Sequence, residues 1–197
     1  MDRDIRALLC DMAEGDMNAF AELYNMLSLR IFNYARTIAK NKEVAEDITH
    51  DVFLQINRQA ARISEISDPA AYIMVITRNH TYNLIKRCNK LNISAVSLDS
   101  DDGFDISDNS SPYENILFED AFSALPANQS ETVYLHLICG YTLKDIAKMQ
   151  DTPLVTVKWR YGRALSRLRE YFAQDKQDNQ GKNNKNNTKG ENCNESY

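Results

Sequence analysis

Hydrophobic residues recur every three or four positions along most of this chain, the spacing of an α-helix that buries one face. A first helix is predicted over Arg3–Ala13, where Gly15 ends it and Asp16 caps the next. Two amphipathic helices follow on either side of Asn41, with apolar positions at Phe20, Leu23, Leu27, Ile31, Tyr34 and Ile38 and then at Val44, Ile48, Val52 and Ile56. No convincing run alternates polar and apolar residues as a strand would, so the pattern predicts an all-α protein.

The helical pattern breaks over residues 58–67, which are predicted to form a loop. Asp68 and Pro69 then start a helix that extends to about Lys90, because a capping side chain precedes a proline at the first helical position. The spacing in this helix predicts burial of Ile73, Ile76, His80 and Leu84. Residues 1–92 are therefore predicted to form a small helical domain with a core of its own.

Residues 93–112 are acidic, rich in turn-forming residues and poor in hydrophobic ones, and are predicted to be a flexible linker. A second small helical domain is predicted over residues 113–173, again with its own core. Its first two helices are expected over Tyr113–Ala124 and Asn128–Cys139. Residues 174–197 are rich in Asn, Lys and Gly, cannot supply a core and are predicted to be disordered.

The second domain ends in two helices joined by a short turn. Thr142 caps the first, with Asp145 three residues on, and Thr152 with Pro153 repeats the cap-and-proline start signal. In the second of these helices the inward stripe is Val157, Tyr161, Ala164 and Leu168, and the stripe beside it is Thr156, Arg160, Arg163 and Arg167. Such a pair, with cations on the solvent side of its second helix, is typical of helix-turn-helix DNA-binding proteins.

The helix-turn-helix pattern predicts different DNA contacts for the two ends of the second helix. Side chains near its N-terminus are predicted to contact base edges: Leu154, Val155, Lys158 and Trp159. The arginines further along are predicted to contact phosphates. Trp159 lies off the inward stripe, but tryptophan is usually part of a core, so its partial burial is expected. The arginine stripe alone is also compatible with a basic helix face that is only solvated and binds no partner.

The net charge of −5 hides a strong asymmetry along the chain. Residues 91–120 contain eight acidic residues and no Lys or Arg, so the rest of the chain carries a net charge of +3. Residues 140–170 carry seven basic side chains against three acidic ones, and residues 69–90 carry only basic ones. Two basic stretches therefore flank an acidic one, a separation that is informative about partners where the total charge is not.

Composition also weighs against other classes of protein. The four cysteines, at positions 10, 88, 139 and 193, are too far apart in sequence to form metal-ligand pairs, so no metal or cofactor is expected. No nucleophile-and-base arrangement, Gly-rich phosphate loop or pair of carboxylates indicates an enzyme. No apolar run is long enough to span a bilayer, and the charged N-terminus is unlike a signal peptide. A cytoplasmic protein without membrane insertion is expected.

The segment LPANQSETVYLHLICGYTLKDIAKMQDTPLVTVKWRYGRALSRLRE resembles region 4 of bacterial RNA polymerase sigma factors. That region usually has LP, a helix, a glycine, an "xEIA" helix and a "TVK" recognition helix that ends in "RAxxxLR". The matching elements here are Leu125-Pro126, Gly140, Asp145-Ile146-Ala147, Thr156-Val157-Lys158, Arg163-Ala164 and Leu168-Arg169.

The first domain carries an independent resemblance to sigma region 2. AEDITHDVFLQI, from Ala45 to Ile56, is similar to its "AEDxxQExFL" signature, and ITRNHTYNLIKR, from Ile76 to Arg87, to its "IARNxxxDxxRR" helix. Regions 2 and 4 with only a short linker resemble the extracytoplasmic-function (ECF) group of the sigma-70 family. Six positions depart from the family's usual residues, which leaves the fold intact but blurs promoter specificity: His50, Tyr72, Asn83, Asp151, Pro153 and Val155.

The resemblance implies a factor that binds core RNA polymerase, directs it to specific promoters and assists promoter melting. Its implied partners are the polymerase and promoter DNA, both double-stranded and as a melted strand; an anti-sigma factor is left open. The implied polymerase contact is the polar side of the signature helix: Glu43, Asp47, His50 and Asp51. The implied surface for the minus-ten element is Arg58, Arg62, Tyr72, Arg78, Asn79, Lys86 and Arg87. The recognition helix would bind the minus-thirty-five element.

Two other classes of function remain open at this point. A stand-alone helix-turn-helix regulator would dimerise and bind a palindrome without polymerase. A sigma-like competitor would bind polymerase without directing transcription.

Overall fold

The protein, described by a computed structural model, has defined structure over residues 4–90 and 121–187, with side chains described at residues 4–88 and 121–174. All secondary structure in these ranges is helical. In order, the helices are α1 (Ile5–Ala13), α2 (Met17–Ala39), α3 (Lys42–Arg58), α4 (Ala60–Ser64), α5 (Pro69–Lys90), α6 (Ala127–Val133), α7 (Leu143–Met149) and α8 (Leu154–Asn187). A π-helical turn, Tyr134–Ile138, follows α6 directly. The predicted acidic linker lies outside the described residues, as does most of the helix expected over Tyr113–Ala124.

Helices α1–α5 form the first unit, and among the described residues its core contains side chains of this unit only. Every buried residue of this core lies between Leu8 and Ile76, and the apolar stripes of α2 and α3 supply most of it. Burial of each large apolar side chain stabilises the unit by about 1.5–3 kcal/mol. Arg6 adds a polar tie, because its guanidinium donates to the backbone carbonyls of Ser64, Ile66 and Ser67 at 2.7, 2.9 and 3.0 Å.

Residues 58–67, predicted to be a loop, contain a short helix, so the prediction is wrong there. Ala60 and Ile63 of α4 are almost completely buried, and α4 packs mainly against α1. A five-residue helix has too few positions for a periodic pattern to stand out, and tertiary packing rather than propensity holds it.

The capping side chains act largely as their sequence signals predict. Asp16 accepts from the backbone N–H of Asn18 at 2.8 Å, and Asp68 accepts from the N–H of Ala71 at 2.9 Å. Thr142 accepts from the N–H of Asp145 at 3.2 Å and donates its hydroxyl to the Asp145 carboxylate. That hydroxyl bond is the main reason why the pKa of the Asp145 carboxyl is lowered.

The second unit comprises α6, the π-helical turn, α7 and α8, and its core is not its own. The cluster that holds Leu125, Val133 and Val157 also contains Tyr34, Ile38 and Met74, which belong to α2 and α5. The prediction of two helical domains is confirmed, but the prediction of an independent second core is wrong. A short chain buries too little apolar surface by itself, and the first unit supplies the rest.

The turn between α7 and α8 depends on one backbone conformation. Asp151 has φ +47°, and the N–H groups of Asp151 and Thr152 donate back to the carbonyls of Lys148 and Ala147, a common helix ending. The Thr152 hydroxyl does not cap α8 as predicted; it donates to the Gln150 carbonyl at 3.1 Å.

Helix α8 is longer than composition predicts. Its backbone stays helical to Asn187, whereas disorder was expected from residue 174. Extending an existing helix costs far less than starting one, so a well-packed first half can propagate into a weak sequence.

Substitution of Asp151 should show that the turn is constrained by its backbone. Asp151→Val is expected to lower the free energy of unfolding of the full chain by about 1–2 kcal/mol, because a left-handed conformation brings Cβ close to the next carbonyl. Asp151→Gly is the matched control and should keep nearly the parent stability, since glycine adopts this conformation without strain. Urea denaturation compares the three proteins, and equal midpoints for Val and Gly would contradict the assignment.

Candidate nucleic-acid and partner-binding surfaces

The first half of α8 presents an exposed surface opposite a stripe of buried and partly buried residues. Val157 and Ala164 have no exposed area, whereas Val155 is 78% and Trp159 59% exposed. Lys158 is exposed between them. The expected partial burial of Trp159 is wrong, because the helix turns this position away from the buried stripe. Two further predicted contact residues are partly buried: Leu154 and Thr156.

The arginines of α8 differ in their surroundings, because some are exposed and others donate hydrogen bonds to buried glutamines. Arg163 is exposed. Arg160 is partly buried and donates from Nη1 to Oε1 of Gln150 at 3.1 Å, and Arg167 donates from Nη1 to Oε1 of Gln129 at 3.2 Å. Both glutamines are only 5% exposed, so two buried amides orient two surface cations. Neither glutamine was predicted from the sequence, because Gln129 lies on α6 and Gln150 just after α7 with no local pattern that marks them as buried.

Helix α3 carries a polar face over a buried apolar one. Ile48, Val52 and Ile56 are buried as their spacing predicts. The four residues predicted to contact polymerase are exposed together on the other side: Glu43, Asp47, His50 and Asp51. The arrangement presents three carboxylates and an imidazole to solvent on a rigid helix.

A groove between α2 and α3, which was not predicted from the sequence, adjoins this acidic face. Aromatic and aliphatic side chains line it together with His50: Phe20, Tyr24, Leu29, Phe32 and Leu54. The ring centroids of Tyr24 and Phe53 lie 4.6 Å apart. Tyr24, Leu29 and Leu54 are each about 40% exposed, so an apolar strip lies beside the carboxylates of α3.

The residues predicted for the minus-ten surface lie on α3, α4 and α5. Five of them are exposed: Arg58, Arg62, Asn79, Lys86 and Arg87. Tyr72 is partly buried and packs against the first core, which leaves only part of its ring for stacking. Arg78, near the middle of α5, has a side chain that is 27% exposed and is paired with a carboxylate.

The guanidinium of Arg78 binds a buried carboxylate on α6. Its Nε donates to Oε1 of Glu131 at 2.9 Å, and the side chain of Glu131 is 1% exposed. The hydroxyl of Tyr34 donates to Oε1 and that of Tyr82 to Oε2, both at 2.8 Å. Arg78 also lies over the ring of Tyr82, 4.9 Å from its centroid.

The surroundings of Glu131 raise the pKa of both tyrosines well above their usual range. Burial is the larger cause, and the charge of the Glu131 carboxylate is the second. The role of Glu131 was not predicted from the sequence. Its neighbours on the short helix α6 are buried. A carboxylate in such a place requires hydrogen-bond donors from another element.

No group of three or more metal-ligating side chains occurs within residues 4–88 and 121–174. Cys10, Cys88 and Cys139 are free thiols, and burial raises the pKa of the Cys139 thiol to about 11, which lowers the fraction of thiolate at neutral pH. None of the helices in the described ranges is long and apolar enough to cross a membrane.

Two family models match the two units. The model of Sigma-70 region 2 matches residues 23–90, and the model of Sigma-70, region 4 matches residues 116–168. The chain is 25% identical to the ECF RNA polymerase sigma factor SigM of Mycobacterium tuberculosis over 168 residues, which cover 85% of this chain and 84% of that protein. It is also 25% identical over 162 residues to the ECF RNA polymerase sigma factor BldN of Streptomyces coelicolor, covering 78% and 61%.

Solved structures share the fold at low identity. CnrH in complex with the cytosolic domain of CnrY matches with a TM-score of 0.59 and 20% identity, over 87% of this chain and 99% of that one. The sigma factor RpoE of Bartonella quintana, in complex with the anti-sigma factor NepR, matches with a TM-score of 0.61 and 23% identity, over 78% and 96%.

Alkaline titration should detect the tyrosines that face Glu131. Because their folded pKa values lie above the ordinary 10.0, their contribution to stability is complete below pH 10 and is lost as the pH rises further. We expect phenolate absorbance of the native chain to lag behind that of the urea-denatured chain, with a smaller lag in a Tyr34→Phe, Tyr82→Phe double variant. Superimposable curves for the native and denatured parent would contradict this environment.

Proposed function

Because the chain belongs to the sigma-70 family of RNA polymerase sigma factors, in its ECF group, we propose a division of the family's work among its surfaces. The protein is a transcription initiation factor that directs RNA polymerase, and it is not an enzyme. We assign the polymerase anchor to the acidic face of α3, the minus-ten element to α4 and α5, and the minus-thirty-five element to α8. Since polymerase and promoter DNA are its partners, we place it in the cytoplasm.

The exposed start of α8 is the observation that carries this assignment. Val155, Lys158 and Trp159 are exposed on a helix whose opposite side carries the buried Val157 and Ala164. These side chains suit contacts in a major groove. Lys158 can donate hydrogen bonds to acceptor atoms of the bases, and Val155 and Trp159 can contact thymine methyl groups. The arginines that follow suit the phosphates on either side.

An inhibitory partner is a further part of the proposal. RpoE of Bartonella quintana shares the fold and is held by an anti-sigma factor. We extend this to the present chain: an anti-sigma factor would bind it and compete with polymerase.

Transcription from a reconstituted system tests the function directly. Core polymerase with the full chain should start transcripts at a defined set of promoters, and sequencing their 5′ ends would show the shared elements. Specific duplex binding by the chain alone, with no transcript from the holoenzyme, would favour a stand-alone regulator instead.

The minus-thirty-five assignment is tested by single substitutions in α8. In the holoenzyme, Arg163→Ala is expected to weaken promoter binding and to reduce the slope of log affinity against log salt by about one unit, because one phosphate contact is lost. Lys158→Ala should instead change the preferred base at one position. Arg160→Ala should also weaken binding, with an added stability loss because Gln150 loses its partner.

Salt-dependent binding measurements on promoter duplexes with each base at the tested positions separate these outcomes. A matched control is Lys148→Ala, which removes an exposed cation from α7 and should leave the base preference unchanged. Parent-like slope and base preference in both the Arg163 and Lys158 variants would remove α8 from the DNA interface.

The polymerase anchor is tested by removal of carboxylates from α3. Asp47→Ala with Asp51→Ala should weaken binding of the full chain to core polymerase at least about tenfold, since truncating one partner of a desolvated charge pair costs about 2–5 kcal/mol. His50→Gln should be tolerated, because a neutral imidazole and an amide both donate and accept.

The matched control for charge is Glu14→Ala with Glu65→Ala, two exposed carboxylates outside α3. Equilibrium pull-down of core polymerase, with thermal unfolding of each variant, distinguishes lost binding from lost structure. Undiminished binding by the well-folded Asp47, Asp51 double variant would place the anchor elsewhere.

A further inference from the structure

Two buried glutamines each accept a hydrogen bond from an arginine of α8. Gln150, just after α7, accepts from Nη1 of Arg160 at 3.1 Å, and Gln129 on α6 accepts from Nη1 of Arg167 at 3.2 Å. The two arginines are separated by two helical turns on one side of α8, which is about 10.5 Å along the helix axis. They are therefore far enough apart to reach different phosphates of a DNA duplex.

Both arginines keep most of their hydrogen-bonding capacity. A guanidinium carries five N–H donors, and each glutamine engages only one of its partner's. Among the residues that the structure describes, neither Arg160 nor Arg167 has a further hydrogen bond or an ion pair. Arg163, which lies between them and is exposed, has no such contact in the same ranges. Two oriented cations thus flank one that nothing orients.

The acceptors of these two arginines carry no charge, which distinguishes them from the acceptor of Arg78. The guanidinium of Arg78 binds the carboxylate of Glu131, and that negative charge offsets its own. An amide oxygen also accepts from a guanidinium but leaves its positive charge uncompensated. Arg160 and Arg167 are therefore held in place while their full charge stays available to an anion such as phosphate.

The amide of Gln150 is not explained by stability. A guanidinium has only donors, so Oε1 of Gln150 must face Arg160, and Nε2 then has to point elsewhere. Nε2 is buried and has no hydrogen-bond partner within the described residues. A buried donor without a partner destabilises a fold, and a leucine of similar size would remove this penalty. The benefit of an amide here is its contact with Arg160.

We propose that Gln150 and Gln129 are positioning residues for DNA binding, which hold Arg160 and Arg167 ready for backbone phosphates without cancelling their charge. A long side chain that becomes ordered on binding loses rotamer freedom, and this loss weakens the complex. Where a buried amide already orders the arginine, the loss occurs during folding instead. The inference rests on the proposed contact between α8 and the minus-thirty-five element.

Two substitutions of Gln150 separate the ordering of Arg160 from its charge. Gln150→Leu keeps the approximate size of the side chain and removes the acceptor, so Arg160 should become mobile with its charge unchanged. Gln150→Glu keeps an acceptor and adds a negative charge, so Arg160 should stay ordered with its charge offset. Gln174→Leu is the matched control, an exposed glutamine farther along α8.

The order of the arginines is measured in the free full-length chain by NMR relaxation of their Nε–H groups, each assigned by its loss in the matching alanine variant. In the parent, Arg160 and Arg167 should be more ordered than Arg163. Gln150→Leu should make Arg160 as mobile as Arg163, whereas Gln150→Glu should not. Thermal unfolding should show Gln150→Leu to be at least as stable as the parent, because the unpaired donor is gone.

Binding is measured with the reconstituted holoenzyme on a duplex taken from a promoter that the parent holoenzyme transcribes. Gln150→Leu should weaken binding about threefold to tenfold without changing the slope of log affinity against log salt, because the same phosphates are contacted. Gln150→Glu should reduce that slope by about one unit, as the loss of a cation would. In an Arg160→Ala background Gln150→Leu should have no further effect, and Gln174→Leu should match the parent.

The outcomes distinguish this inference from the function on which it rests. Parent affinity in a well-folded Gln150→Leu holoenzyme, or an Arg160 that stays ordered in that variant, overturns the positioning role and leaves the initiation function standing. An equal loss of affinity in the Arg160→Ala background also overturns it, because Gln150 would then act through the fold. A parent holoenzyme that transcribes from no promoter overturns the proposed function and this inference together.

Discussion

A carboxylate removed from water must find hydrogen-bond donors, and this requirement sets the arrangement of the whole molecule. The donors to Glu131 lie on α2 and α5, so the face of α6 that carries this residue packs against those two helices. Hydrophobic contact supplies the bulk of the favourable free energy but has no direction. The three donors supply the direction, and they fix where the π-helical turn, α7 and α8 project from the first unit.

The surfaces with proposed binding roles differ in how much of each is exposed and how much is covered by the contact between the two units. The acidic face of α3 and the start of α8 are exposed to solvent, each on the side of its helix opposite the buried residues. The surface on α5 is shared with the interface between the units. Rigid helices hold each set of side chains in place, and buried amides such as Gln129 and Gln150 restrict long cations that would otherwise lose entropy on binding.

The sequence predicts those features that depend on local spacing. Helix faces such as that of α3, and caps such as Asp16 and Thr142, follow from interactions within a few residues, and they are found where expected. The α4 helix, the exposed Trp159 and the shared second core depend on which elements meet in space. No local rule contains that information. Glu131 and Gln150 escaped notice for the same reason: a polar residue on an inward face has meaning only once its partner is known.

The first core is built from the first unit, whereas the second core uses residues of both units, and this difference has a consequence for biosynthesis. All the buried residues described for the first core precede residue 77, so the N-terminal bundle can fold while the ribosome is still adding the rest of the chain. At about 5–20 residues per second the remainder takes several seconds to appear, far longer than a small helical bundle needs to fold. The later helices therefore emerge beside a finished template that already presents Tyr34, Ile38 and Met74. These later helices complete their own core by packing against the N-terminal bundle, which has already folded. Their folding therefore resembles binding between two parts of one chain.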